Sequence, residues 1–190
     1  LSVNASKELA GKIPVPKGAT NMLDIGGSHG LYSIELCKKN EGLRSTILEL
    51  PAAVESAAAI AKRYDPSGYV TYKAGNVLTD DLGEQQYDLV MINNVVHHFT
   101  VEQNEQLAQK IARSLKPGGI YVIGEMIRND KPGKGGILAA ATGLYFSMTS
   151  QSGNWSEPEI KSWQSNAGLK HVKTIPSMTV PGFKMVVGKK

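Results

Sequence analysis

The residues able to do chemistry fall at three places: an acid with glycines behind it (Asp24, Gly26, Gly27, Ser28, Gly30), a carboxylate at Glu49, and the adjacent imidazoles His97 and His98. Gly26, Gly27 and Gly30 let the backbone turn sharply and bring its N–H groups close to a ligand. Behind them, Leu31, Ile34, Glu35 and Leu36 have helical spacing, which aims a helix N-terminus at the loop and favours a ligand carrying a carboxylate or phosphate. Glu49 closes the next apolar run, where a carboxylate is placed to accept hydrogen bonds from both hydroxyls of a nucleoside ribose. An imidazole titrates near neutrality and suits proton removal. No metal site is expected, because adjacent histidine side chains diverge and no Cys or His cluster completes a tetrahedron around them.

Alternating strands and helices must position these groups. Residues 22–25 read as a buried strand, 45–48 as a second, and Pro51 opens an Ala-rich helix to residue 61. Alternation makes 69–73 a third strand, ending at Gly75, Asn76 and Val77, which could border an adenine. The apolar run 88–93 suits a central strand buried on both faces, with 93–100 at its C-terminal edge. An amphipathic helix is expected over 101–116, stopped by Pro117, Gly118 and Gly119 ahead of a strand at 120–125. Residues 129–136 are rich in Gly, Pro and Lys and read as a mobile connection. The apolar helix expected at 137–148 is placed to cap a pocket. Ser156 with Glu159 forms a capping box for a helix to residue 166, and 171–176 and 183–188 read as two closing strands. Strand–helix alternation of this length predicts a parallel α/β sheet.

With 190 residues and 41% hydrophobic content, one packed domain is expected: residues 1–20 as an entering helix and linker, 21–190 as the domain proper. A single cysteine, Cys37, excludes an internal disulfide, and it reads as inert within a helix. With neither a signal-peptide pattern nor an apolar run near the spanning length, a soluble cytoplasmic protein that does not engage a membrane is expected. The net charge of +4 comes from scattered basic residues with no aromatic-interleaved stripe, which argues against a nucleic-acid partner. Opening on Leu1, the chain reads as a fragment or a processed product.

Glycine spacing separates the candidate ligands. A dinucleotide fingerprint G-x-G-x-x-G would need glycines at positions held by Ser28 and Leu31. Gly26 and Gly30 instead fit the D-x-G-x-G-x-G pattern of class I S-adenosylmethionine (SAM) methyltransferases, with Asp24 as the acid and Ser28 in place of the middle glycine. Together with ILELP at 47–51, AGNV at 74–77, YDLVMINNVVHHF at 87–99 and LKPGGIYVIGE at 115–125, the chain resembles the catalytic domain of SAM-dependent O-methyltransferases of plant phenolic and bacterial small-molecule metabolism. The resemblance implies a seven-stranded, mostly parallel Rossmann-like sheet with an antiparallel last strand and helices on both faces. It implies SAM as cofactor, S-adenosyl-L-homocysteine (SAH) as product and a small, hydroxylated acceptor. It also implies a homodimer formed through an N-terminal domain that is absent here.

Residue by residue, the resemblance places the catalytic base at His97, oriented by Glu125. Asp24, Gly26, Gly27, Ser28 and Gly30 would hold one end of the cofactor; Glu49, Leu50, Asn76, Val77, Asn93, Asn94 and Phe99 would hold the rest. His98, Met126, Tyr145, Phe146, Met148, Asn154 and Trp155 would line the acceptor site. Departures from the family pattern are Glu49 and Asn76 where Asp is usual, His98 and Phe99 where Asp and Trp are common, and Asn154 where a second Glu would share the charge of His97. A methyltransferase acting on nitrogen would carry N-P-P-Y after the fourth strand, where this chain has Asn94, Val95, Val96 and His97. Three alternatives remain at this point: a SAM-binding domain without chemistry, a small-molecule N- or C-methyltransferase, and a nicotinamide dehydrogenase.

Overall fold

The computed structural model describes residues 2–129, 136–150 and 153–190. The expectation for a mobile connection at 129–136 falls almost wholly outside the described residues. Strand β4 (Tyr87–Asn93) shows why the sheet is buried on both faces. Val90 and Ile92 point into a first apolar cluster, while Leu89 and Met91 point into a second. Beside it lie β1 (Asn21–Ile25), β2 (Arg44–Glu49) and β3 (Val70–Ala74) on one side and β5 (Leu115–Met126) on the other, all parallel. β7 (Phe183–Lys189) then inserts antiparallel between β5 and β6 (Lys170–Pro176), giving the order β3-β2-β1-β4-β5-β7-β6. This is the seven-stranded sheet with an antiparallel last strand.

Helices cover both faces. α4 (Val101–Ser114) and α6 (Glu157–Asn166) supply Leu107, Ile111, Ile160 and Trp163 to the first cluster. α1 (Ser2–Ala10) and α2 (Leu31–Lys39) supply Leu9, Ala10, Leu36 and Cys37 to the second. α3 (Pro51–Ala61) packs over the β2–β3 edge, and α5 (Gly136–Thr149) precedes α6. Both α4 and α6 open with capping boxes, Thr100 with Gln103 and Ser156 with Glu159, which satisfy otherwise orphaned N–H groups.

Two sequence expectations change. Residues 1–20 do more than deliver the chain, since Ala5, Leu9, Ala10, Ile13 and Ala19 are buried and Glu8 accepts hydrogen bonds from the backbone of Met178 and Thr179. Pro117, Gly118 and Gly119 do not separate helix from strand: α4 ends at Ser114, and β5 begins at Leu115 and runs through them. Leu115 is fully buried and pairs with Tyr87, while Lys116 Nζ donates to Asp88 Oδ2 at 2.9 Å. These contacts draw the segment into the sheet. The register shift between Tyr87 and Leu89, with Gly118 at φ 79°, absorbs the irregularity as a bulge does.

The strand order reverses at β1. Its connection through α2 leads to β2 on one side, and β4 lies on the other, so a crevice opens at the C-terminal ends of β1 and β4. The glycine loop and the histidine pair flank that crevice.

Candidate active site

β1 delivers Asp24 into the floor of the crevice, 1% exposed. Ser33 Oγ donates to Asp24 Oδ2 at 2.7 Å and lies 2.9 Å from Ser45 Oγ, whereas the buried Asp24 Oδ1 has no hydrogen-bond partner among the described residues. Burial pushes the Asp24 carboxyl up to about 7; the Ser33 hydrogen bond opposes the shift and the nearby Glu49 charge adds to it. The glycine positions of the loop above have no room for side chains. A Cβ on Gly26 would stand 2.7 Å from Val95 Cγ2, one on Gly27 2.5 Å from Asp24 Oδ2, and one on Gly30 2.7 Å from Ile47 Cδ1. Gly26 and Gly30 also hold positive φ, 65° and 72°. At the tip, Ser28 N–H donates to Glu49 Oε1 at 2.7 Å and Tyr72 O–H donates to Ser28 O at 2.7 Å.

Two cavities meet at Gly26. The first, of about 310 Å³, has Asp24, Gly26, Gly27, Ser28, Asn93 and Asn94 in its wall. The second, of about 380 Å³, is lined by Glu49, Leu50, Asn76, Val77 and Phe99 together with Leu48, Val95 and His98, and is mainly apolar. Every residue named from sequence for the cofactor except Gly30 borders one of the two; Gly30 instead packs the helix start against β2. His29 and Tyr32 also line the first cavity, and were missed. Their signal was position alone, in the loop and the first turn of α2.

A 3₁₀ turn at Val96–His98 follows β4 and carries both imidazoles. His97 is 2% exposed, and its Nδ1 lies 2.8 Å from Oε2 of the fully buried Glu125 at the end of β5. The other carboxylate oxygen, Oε1, accepts Met126 N–H at 2.9 Å, which fixes the carboxylate in turn. With Nδ1–H donated to the carboxylate, the ring's basic lone pair sits on Nε2. Phe146 of α5 stacks on the His97 ring at 3.7 Å between centroids with 17° between planes. The turn itself is held through Val96 O, which accepts from Trp155 Nε1 at 2.9 Å and from Asn104 Nδ2 at 3.1 Å.

The remaining acceptor-site candidates separate. Trp155 is buried edge-on against Trp163 in the first apolar cluster, and Met126 is buried in the second. His98 borders the cofactor-side cavity, with Nδ1 2.9 Å from Ser150 Oγ; burial, then His97, lowers its pKa below the usual value. Tyr145 and Met148 are 60% and 78% exposed on α5. Asn154 Oδ1 is buried with no hydrogen-bond partner among the described residues. Among the described residues no helix is long and apolar enough to cross a membrane, and no group of three or more His, Cys, Asp or Glu could hold a metal ion.

A family model described as "Methyltransferase domain" matches residues 23–121. The chain is 25% identical to 3-hydroxy-5-methyl-1-naphthoate 3-O-methyltransferase of Streptomyces sahachiroi, over 98% of this chain and 53% of that protein. A crystal structure of a candidate O-methyltransferase from Nostoc punctiforme PCC 73102 superposes with a TM-score of 0.87 at 28% identity, over 99% of this chain and 56% of that one. Human N-acetylserotonin methyltransferase, solved in complex with SAM, superposes with a TM-score of 0.80 over 97% of this chain and 51% of that one; at 18% identity this likeness shows the fold alone. The chain spans about half the length of the curated relatives it matches.

Proposed function

The chain belongs to the methyltransferase-domain family, and from that premise we propose that it transfers a methyl group from SAM to a hydroxyl oxygen of a small aromatic metabolite, with His97 as general base. The observation that carries the reading is the buried His97–Glu125 pair beside the paired cavities. The residues present fit the cofactor on grounds of their own chemistry. Among the described residues nothing donates to the buried acceptor Asp24 Oδ1, which suits the ammonium of the methionine end, and a Cβ at Gly26 or Gly27 would collide with Val95 or Asp24. Glu49 at the mouth of the apolar cavity suits the ribose hydroxyls, and Leu50, Val77 and Phe99 suit the faces and edges of an adenine.

When bound, SAM supplies an electrophilic methyl on a sulfonium, already a good leaving group. The chain's own task is positioning and proton management. Glu125 holds the His97 tautomer and stabilises the imidazolium that forms when Nε2 takes the acceptor's hydroxyl proton. Phe146 covers one face of the ring, so an incoming hydroxyl meets the imidazole in its plane, where the lone pair lies. An aromatic acceptor is supported by the naphthoate named for the Streptomyces relative and by the Phe146 and Tyr145 rings, 5.5 Å apart on α5. A further domain that completes the acceptor pocket and pairs two copies belongs to the same proposal, since Leu144, Tyr145 and Met148 leave α5 with an uncovered apolar face.

Replacing His97 with Gln tests the base. SAH affinity by calorimetry stays at the wild-type value while methyl transfer to a panel of hydroxylated aromatics disappears. Turnover surviving in the variant would remove His97 from its role, and wild-type protein that binds SAH yet methylates nothing would leave a SAM-binding domain without chemistry.

A further inference from the structure

Lys110, on α4, is separated from the histidine turn by most of that helix and belongs to no motif. Its ammonium nevertheless has a specific arrangement of partners: Nζ donates to Val77 O at 2.8 Å, Asp80 O at 2.9 Å and Leu78 O at 3.0 Å. Three donors meet three backbone carbonyls of one short loop, which uses the full capacity of the group. Among the described residues no carboxylate forms an ion pair with it.

The loop is the wall of the apolar cavity, contributed by Gly75, Asn76, Val77 and Leu78. It folds partly on itself, with Asn76 N–H donating to Asp80 Oδ2 at 3.1 Å and Leu78 N–H to Asn76 Oδ1 at 3.0 Å. Behind it the packing is open: a second space of about 180 Å³ lies between Val77 and Leu78 on one side and Gln103, Gln106, Leu107 and Lys110 on the other. Lys110 spans from α4 to the loop alongside that space. A wall tied in place before the ligand arrives spares the ligand the cost of ordering it.

We infer that Lys110 is a positioning residue for the nucleoside end of the cofactor, acting through the carbonyls of residues 77, 78 and 80. The inference rests on the reading that the Glu49 cavity takes the nucleoside. Lys110 touches no reacting atom, so its effect is on affinity and on loop order, not on the chemical step.

The test uses SAH and 5′-methylthioadenosine, which keeps the nucleoside and lacks the amino-acid end, in calorimetry against wild type, Lys110→Met and Lys110→Arg. Lys110→Met keeps the apolar stem and loses the donors. It should weaken both ligands by the same factor, about tenfold or 1.4 kcal/mol, speed amide hydrogen exchange at 76–80, and leave the ligand-free melting midpoint within a few degrees of wild type. Lys110→Arg, which restores donors, should recover most of the affinity. Unchanged SAH affinity in Lys110→Met would overturn the inference, as would a loss confined to SAH, or a loss seen only with a collapse of the melting midpoint. Wild-type protein that binds neither ligand would overturn the cofactor reading itself, and the inference with it.

Discussion

The two sides of the crevice are built differently. On the glycine-loop side each part is held by short bonds and close packing: Asp24 on Ser33, Ser28 on Glu49 and Tyr72, and Gly26 against Val95. On the α5 side, Phe146 rests on His97 and Ser150 reaches His98, while Leu144, Tyr145 and Met148 face outward. On the proposed reading the tightly held side takes the cofactor and the α5 side takes the acceptor, so affinity for SAM and choice of acceptor should be separable by mutation.

The sharpest separation is expected at Glu125. Glu125→Ala removes the partner of His97 Nδ1 and should lower the turnover number by about 10²- to 10⁴-fold, the usual range for general-base catalysis. SAH affinity by calorimetry should change less than threefold, a change too small to reflect a rebuilt cofactor site. Gly27→Ala is the converse. Its Cβ would stand 2.5 Å from Asp24 Oδ2, so SAH affinity should fall by about tenfold or more, a penalty of about 1.4 kcal/mol or above. Parallel losses of affinity and turnover in both variants would erase the distinction between the two sides.

A smaller effect is expected at Phe146. Phe146→Ala should raise the KM for an aromatic acceptor about tenfold, as loss of one stacking and packing surface does, with SAH affinity intact. Unchanged acceptor KM would take α5 out of the acceptor site.

A separate effect concerns stability. Asp24 is raised in the folded state from an ordinary value of 3.8 to about 7. The folded chain therefore binds the extra proton between those values. The stability this group contributes is fully present below pH 3.8 and is lost as pH rises toward 7, by at most about 1.4 kcal/mol per pH unit. Chemical denaturation of the ligand-free protein at several pH values should show Asp24→Asn losing this downward component relative to wild type. Identical pH slopes for the two would mean that Asp24 is not held protonated.

Much of the glycine-loop side of the crevice was legible in the sequence because its signals are local. The run ending at Asp24, the glycines at 26, 27 and 30, and Glu49 at the end of the next strand each follow from period and punctuation within a few residues. The alternation of β4 between two cores was equally readable from its unbroken apolar run. What escaped depends on contacts distant in sequence. Lys110 meets a loop 30 to 33 residues earlier, and Tyr72 reaches Ser28 across 44. Trp155 was expected to line a pocket, yet its indole holds Val96 O 59 residues away. Pro117, Gly118 and Gly119 misled for a related reason: their local preference for a break yields to the pairing of Leu115 with Tyr87 and to the Lys116–Asp88 contact.

A crystal structure of the chain with SAH tests the central claim most directly. The ribose should hydrogen-bond Glu49, with the adenine between Leu50, Val77 and Phe99, the amino-acid end over Asp24 and Gly26, and the sulfur facing the His97 side of the crevice. SAH found in the reverse orientation, or outside the two cavities, would contradict the account.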